Sequence, residues 1–275
     1  SLASNNGGTN TFSSTISLNG SGGVLENAGN GTVEVTGAVA GSGALTKDGS
    51  GNLTLSGTNS YSGATSVFEG KLTIASEGTI NTTSGVSIGA GEFNYNSSTA
   101  LTRNVSFSGT GGTLSGSGTI TTTVNVTEAN TLSIGNSPGT MNFDSDLTIG
   151  GTYSYELVGG TSSADLGNVA GNLTLGGILD LVQLGTYTEG DKFTLLSYSG
   201  SLTGIFTDAS LDALSDDAIF TAAGGLWQIN YNDTLAGQNG GTQANFITIT
   251  AIPELSAAAL LGLGIMGLLV RRRRD

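Results

Sequence analysis

The sequence contains no cysteine and no histidine. Their absence removes disulfides, thiolate nucleophiles, Cys/His zinc sites and imidazole acid–base chemistry. Only two prolines occur, Pro138 and Pro253, so neither a collagen nor a polyproline stalk is present. Charged residues make up 11 % of the chain, against a usual share of about 25 %. Basic charge is scarcest. Four of the eight Lys and Arg residues are Arg271, Arg272, Arg273 and Arg274, and the rest of the chain has only Lys47, Lys71, Arg103 and Lys192. The net charge is −13. Such a surface repels phosphate backbones, so no nucleic-acid partner is expected. It suits a protein that stays soluble outside a cell or collects cations.

What fills the sequence is glycine, 46 of 275 residues, with Ser, Thr and Asn around short apolar runs. Hydrophobic residues reach 37 %, enough for a thin, repetitive core, and the low charge argues against disorder. Eleven runs follow one pattern. They are VEVTG (33–37), LTLSG (53–57), KLTIA (71–75), VSIG (86–89), VSFSG (105–109), VNVT (124–127), LSIG (132–135), LTIGG (147–151), LTLGG (173–177), FTLLSY (193–198) and FITIT (246–250). Apolar residues alternate with small polar ones, a period of two that buries one strand face and exposes the other. β-Branched residues favour strands, and the glycines supply the turns. Only LDALSDDAIF (211–220) permits a helical turn or two before residue 250.

Short strands recurring without one strict period predict a stacked solenoid, with ladders of Thr and Asn between coils. Coils of about 20–25 residues give roughly ten coils over residues 1–250. At about 4.8 Å per coil that is a rod of about 50 Å. Its ends need capping against edge pairing, and GGLWQINYND, with the single Trp227, is a candidate cap.

A β-solenoid can carry carbohydrate-active enzymes, so the carboxylates need weighing. Asp144 with Asp146, Asp216 with Asp217, and Glu189 with Asp191 are the close pairs. Two carboxylates held several ångströms apart would serve a glycoside hydrolase. On a strand Asp144 and Asp146 would share a side, whereas Asp216 and Asp217 would diverge. Glu189 and Asp191 flank Gly190 in a turn. Each pair reads better as a solvated turn or edge, so no catalytic residue, cofactor or metal is assigned. KDGSGN (47–52) and FDSDL (143–147) have carboxylates beside small oxygen-bearing residues, as calcium prefers, but match no calcium loop and read as Asp-stabilised turns.

The tail PELSAAALLGLGIMGLLVRRRRD differs from everything before it. Leu255 to Val270 is sixteen residues without a charge, about 24 Å as a helix. It could be a buried core helix, a membrane anchor or a cleaved address. It is apolar all round, which requires full burial or a membrane, and a solenoid offers nothing to enclose it. A single C-terminal transmembrane helix is therefore expected. Snorkelling arginines and local thinning would make up its length. Arg271, Arg272, Arg273 and Arg274 form a cytoplasmic basic stop, which puts the body outside that membrane. The start, SLASNNGGTN, has neither an initiator Met nor an apolar h-region, as expected either of a fragment or of a chain whose export signal has been removed, and the orientation of the tail favours the second.

Three stretches resemble known families. GALTKDGSGNLTLSGTNSYSGATSVFEGKLTIASEG (43–78) resembles the autotransporter-associated β-strand repeat, through Leu45-Thr46-Lys47, the turn Gly49 to Gly51, Leu53 to Gly57, Asn59, Tyr61-Ser62-Gly63, Thr65, and Gly70 with Leu72. Residues of about 131–206 are similar to the end region of autotransporter-like passengers, with a Gly-Asn-Ser-Pro-Gly turn before a strand pair and a later Leu-Gly-Gly-x-Leu. The resemblance implies an exported, right-handed parallel β-helix. No run of alternating membrane-barrel strands accompanies it. The tail, residues 251–275, resembles the PEP-CTERM sorting signal in Pro253, Glu254, the apolar segment and the arginine run 271–274, with Leu255 where that family has a second proline. It implies an exosortase-type processing enzyme as a partner.

The combined expectation is an all-β, right-handed parallel β-helix over residues 1–250 with one C-terminal transmembrane helix. It would be a non-enzymatic, structural or adhesive protein of the cell surface or extracellular matrix, anchored or processed, with exopolysaccharide a candidate partner. The alternatives are a carbohydrate-active β-helix enzyme and a non-catalytic polysaccharide-binding module.

Overall fold

A computed structural model describes residues 8–20, 22–26, 31–135, 138–158 and 163–253. Among them there is no helix; the strands form a right-handed-type parallel β-helix with three faces. One coil shows the plan. Thr32–Val35 lies on the first face, Val39–Gly41 on the second and Leu45–Asp48 on the third. The chain then returns to the first face at Asn52–Leu55, paired in parallel with Thr32–Val35. Successive first-face pairings join Thr9 to Thr32, Asn52, Lys71, Glu92, Thr113, Thr131, Thr152 and Ile178. The coils therefore advance by 18 to 26 residues, close to the expected length and without a strict period.

Alternation along each strand builds the core. Val33, Leu53, Leu72, Phe93, Leu114, Leu132, Tyr153 and Leu179 stack in register inside the first face, and all are buried. Each such side chain contributes about 1.5–3 kcal/mol by leaving water. Because one residue per coil fills each column, the core is narrow but continuous. Larger rings collect toward the end of the stack, where Tyr153 stacks on Phe206 with centroids 5.8 Å apart.

The glycine content follows from how closely the coils approach at their corners. A Cβ on Gly57 would lie 2.4 Å from the carbonyl oxygen of Gly37, and one on Gly177 only 1.7 Å from that of Gly151. No side chain fits there. Asparagine fastens other corners through bonds to the backbone of neighbouring coils. The Asn59 side chain accepts from Val39 N at 2.9 Å and donates to the carbonyls of Gly57 and Thr79. A single buried amide thus joins three coils.

The parallel stack ends in an antiparallel meander. Lys192–Tyr198 pairs in parallel with Leu166–Val169, then antiparallel with Asn245–Ile252. Gly225–Asp233 and Ile219–Ala222 follow, both antiparallel. The expected cap segment is the first of these two strands. Trp227 is fully buried, 4.7 Å from the ring of Tyr187 and 6.3 Å from Phe193. Because the meander consumes residues that would otherwise coil, the first face has nine parallel rungs among the described residues, about 40 Å at about 4.8 Å per step, shorter than the length expected from ten coils.

One local expectation is corrected. Residues 211–220 form no helical turn but a chain of tight turns leading into Ile219–Ala222. Leu211 and Asp217 have φ of 67° and 61°, incompatible with a right-handed helix, and the Asp208 carboxylate accepts from the backbone of Ser210 and Asp212. The expected helix at Leu255 to Val270 lies outside the described residues. Among those described, no helix is long and apolar enough to cross a membrane.

Candidate functional site

The side chains singled out from the sequence are dispersed. Pro253 is exposed just beyond the last strand. Glu254 of the expected sorting motif, and Arg271, Arg272, Arg273 and Arg274 of the expected basic stop, lie outside the described residues. Asp144 and Asp146 occupy the turn between Thr140–Phe143 and Leu147–Ile149, not a strand. Asp146 accepts from the backbone N–H of Asn172 at 2.7 Å, and Asn172 in turn accepts from that of Ser201 at 2.9 Å. Its carboxylate fastens a corner from coil to coil. Asp216 accepts from Tyr231 N, and Asp217 from the Asn230 amide. Asp191 closes its own turn by accepting from Thr188 N, while Glu189 is exposed.

The KDGSGN turn holds a cation of its own. Lys47 points inward and is fully buried. Its ammonium donates to the carbonyls of Gly49 at 2.6 Å, Asp48 at 3.0 Å and Glu69 at 3.0 Å. Burial lowers its pKa, opposed by the charges of Asp48 and Glu69. The next coil makes room for it: a Cβ on Gly70 would lie 2.7 Å from the Lys47 nitrogen. Among the described residues, no group of three or more acidic side chains is placed to hold a metal ion.

Two other basic residues among those described, Lys192 and Arg103, are equally committed. Lys192 pairs with Asp233 and donates to the Leu235 carbonyl. Burial alone would raise the Asp233 carboxyl, but bonds from Lys192, Leu235 N and Thr248 hold it below the usual range. Arg103 donates to the Asn81 carbonyl. No cationic cluster of the kind an acidic-sugar lyase needs is formed by these residues.

A groove on the first face is a concave polar site that stacking builds from separate coils. It encloses about 310 Å³ and is lined by Lys71, Glu92, Asn94, Ser115, Ser133 and Glu156, with backbone from Ile134 and Gly135. The outer positions of the face form one column in register: Thr54, Thr73, Asn94, Ser115, Ser133, Ser154. The Glu92 Oε1 atom accepts from Lys71 Nζ at 2.9 Å and from the Ser115 hydroxyl at 2.6 Å. Asn94 donates to the same hydroxyl at 2.7 Å. Asn94 and Ser115 are nearly inaccessible although they point outward, because this network packs them together.

The groove wall rests on a buried carboxyl that sequence reading overlooked. Asp165 is fully buried and accepts from Gly139 N and from Glu156 N, each at 3.0 Å. Gly135 lies directly against it, since a Cβ there would meet the Asp165 oxygen at 2.2 Å. Burial pushes the Asp165 pKa up to about 7, against the pull of the two backbone donors. Nearby, the Asn239 amide donates to the Asp165 and Thr194 carbonyls and to Tyr155 Oη. The only advance sign was an isolated acid, Ala164-Asp165-Leu166, between apolar residues.

The family model described as the passenger-associated-transport-repeat matches residues 45–74. That span begins at Leu45, includes Lys47 and its receiving turn, and ends with the first-face strand Lys71–Ile74. No curated protein matches the chain.

Proposed function

We propose that this protein is an exported, surface-exposed passenger-like rod with a structural or adhesive role and no enzymatic activity. The observation that carries this reading is that a passenger-associated repeat falls within consecutive coils of a continuous parallel β-helix, from the third-face strand at Leu45 to the first-face strand ending at Ile74. The match is consistent with a cell-surface protein. The stack supplies length and rigidity, while its acidic surface keeps such a rod apart from anionic polymers. The paired carboxylates support a non-enzymatic reading, because Asp146, Asp191, Asp216 and Asp217 each bond within a turn or to a neighbouring strand or coil.

In the same reading, residues 251–275 deliver the rod. Pro253 and Glu254 are the sorting motif of a PEP-CTERM-like tail, 255–270 crosses the membrane, and Arg271, Arg272, Arg273 and Arg274 remain cytoplasmic. An exosortase-type enzyme is the processing partner, and exopolysaccharide surrounds the released body. Cell fractionation with mass spectrometry of the mature C-terminus tests this. Loss of everything after about Pro253 in the surface fraction is expected. An intact end, with all four arginines, recovered only from the membrane would refute processing.

A further inference from the structure

We propose that the first-face groove binds an uncharged polysaccharide, with the chain lying along the rod axis. The binding rests on the adhesive side of the proposed function for its biological use, but its chemistry stands on the groove alone. Four of the lining side chains, Lys71, Glu92, Asn94 and Ser115, are fixed before any ligand arrives. Glu92 holds Lys71 and Ser115, Asn94 holds Ser115, and Asn96 donates to Asn94. A site ordered in advance loses little entropy on binding. What it offers is a mixture of acceptors and donors in close succession: carboxylates at Glu92 and Glu156, an ammonium at Lys71 and a hydroxyl at Ser133. Vicinal sugar hydroxyls, each both donor and acceptor, match such a set.

Charge and polarity narrow the class. Lys71 is the one cation lining the groove and is already paired, while Glu92 and Glu156 are both carboxylates. A uronate, sulfated or phosphorylated chain would meet like charge. An apolar ligand finds no apolar side chain to rest on, because Ile134 is only 1 % exposed. The column spans six rungs from Thr54 to Ser154 and presents accessible hydroxyls at Thr54, Thr73, Ser133 and Ser154, on either side of the packed Asn94 and Ser115. Those six rungs run about 24 Å at about 4.8 Å each, so a linear ligand with repeated hydroxyls can follow them.

Isothermal titration of the full chain in mild detergent tests the assignment, with cellohexaose, laminarihexaose, a chitosan hexamer and a galacturonate hexamer as probes. Saturable binding of at least one neutral hexamer is expected. Ser133→Trp, which fills the groove from an outward position, should weaken it at least about tenfold. Thr174→Trp, on an exposed outer position of the third face, should leave it unchanged. Glu92→Gln, which keeps shape and removes charge, gives a second reading should the Trp variant fail to fold, with several-fold weakening expected. No saturable neutral binding up to ~10 mM, tighter binding of either charged hexamer, or equal loss in both Trp variants would each overturn the proposal. Failure of export would leave this result untouched, and failure of binding would leave the localisation result untouched.

Discussion

Lys47 and Asp165 are both fully buried ionisable residues, and they are stabilised by opposite means. Lys47 is ringed by carbonyls, so its charge is compensated and its turn is closed from inside. Lys47→Met would leave those carbonyls without their donor and should cost about 3 kcal/mol, read as an earlier urea midpoint. Asp165 has backbone donors but no cation, and burial dominates. Its folded pKa of about 7 exceeds the ordinary 3.8, so the folded protein holds a proton that the unfolded chain releases. That contribution is fully present below about pH 4 and is lost as pH rises through about 7. Stability of the native chain against thermal unfolding should therefore fall between about pH 4 and about 7 through this group, and Asp165→Asn should flatten that dependence. The change should also reach the groove, since Asp165 ties Gly139 to Glu156 at its wall.

At the scale of elements, the strands were legible because burial has a period of two. KLTI and LTL runs lie where the alternation places them, with Leu72, Ile74, Leu53 and Leu55 inside. The cap was legible from the single tryptophan. The turns at 211–220 were not, because positive φ at Leu211 and Asp217 has no periodic signature. Nor was the groove: Lys71, Glu92, Ser115 and Ser133 lie on successive coils, 18 to 23 residues apart in sequence, and only the registration of the stack assembles them. The cap also sets a prediction. A Cβ on Gly225 would lie 1.4 Å from the Tyr187 hydroxyl, so Gly225→Ala must push Tyr187 off Trp227. Trp227 is the chain's single tryptophan. Its emission should shift to the red in the folded variant, and urea should unfold the cap at a lower concentration than in the native chain.

At the scale of the whole molecule, three stacked faces make a rod whose outer columns repeat every coil while its core stays one residue wide per column. This division lets outer residues vary without touching stability, provided corner glycines and inward residues are kept. Leu72→Ala, in the middle of the stack, should cost about 2–5 kcal/mol, whereas Thr73→Ala on the outer side should remain within about 0.5 kcal/mol, both measured by denaturant melts. The central claim is that this rod is displayed outside the cell. Antibody labelling of intact against permeabilised producing cells, with an epitope inserted at the exposed turn around Gly190, tests it most directly. The account predicts full labelling of intact cells that permeabilisation does not increase. Labelling that appears only after permeabilisation would contradict it.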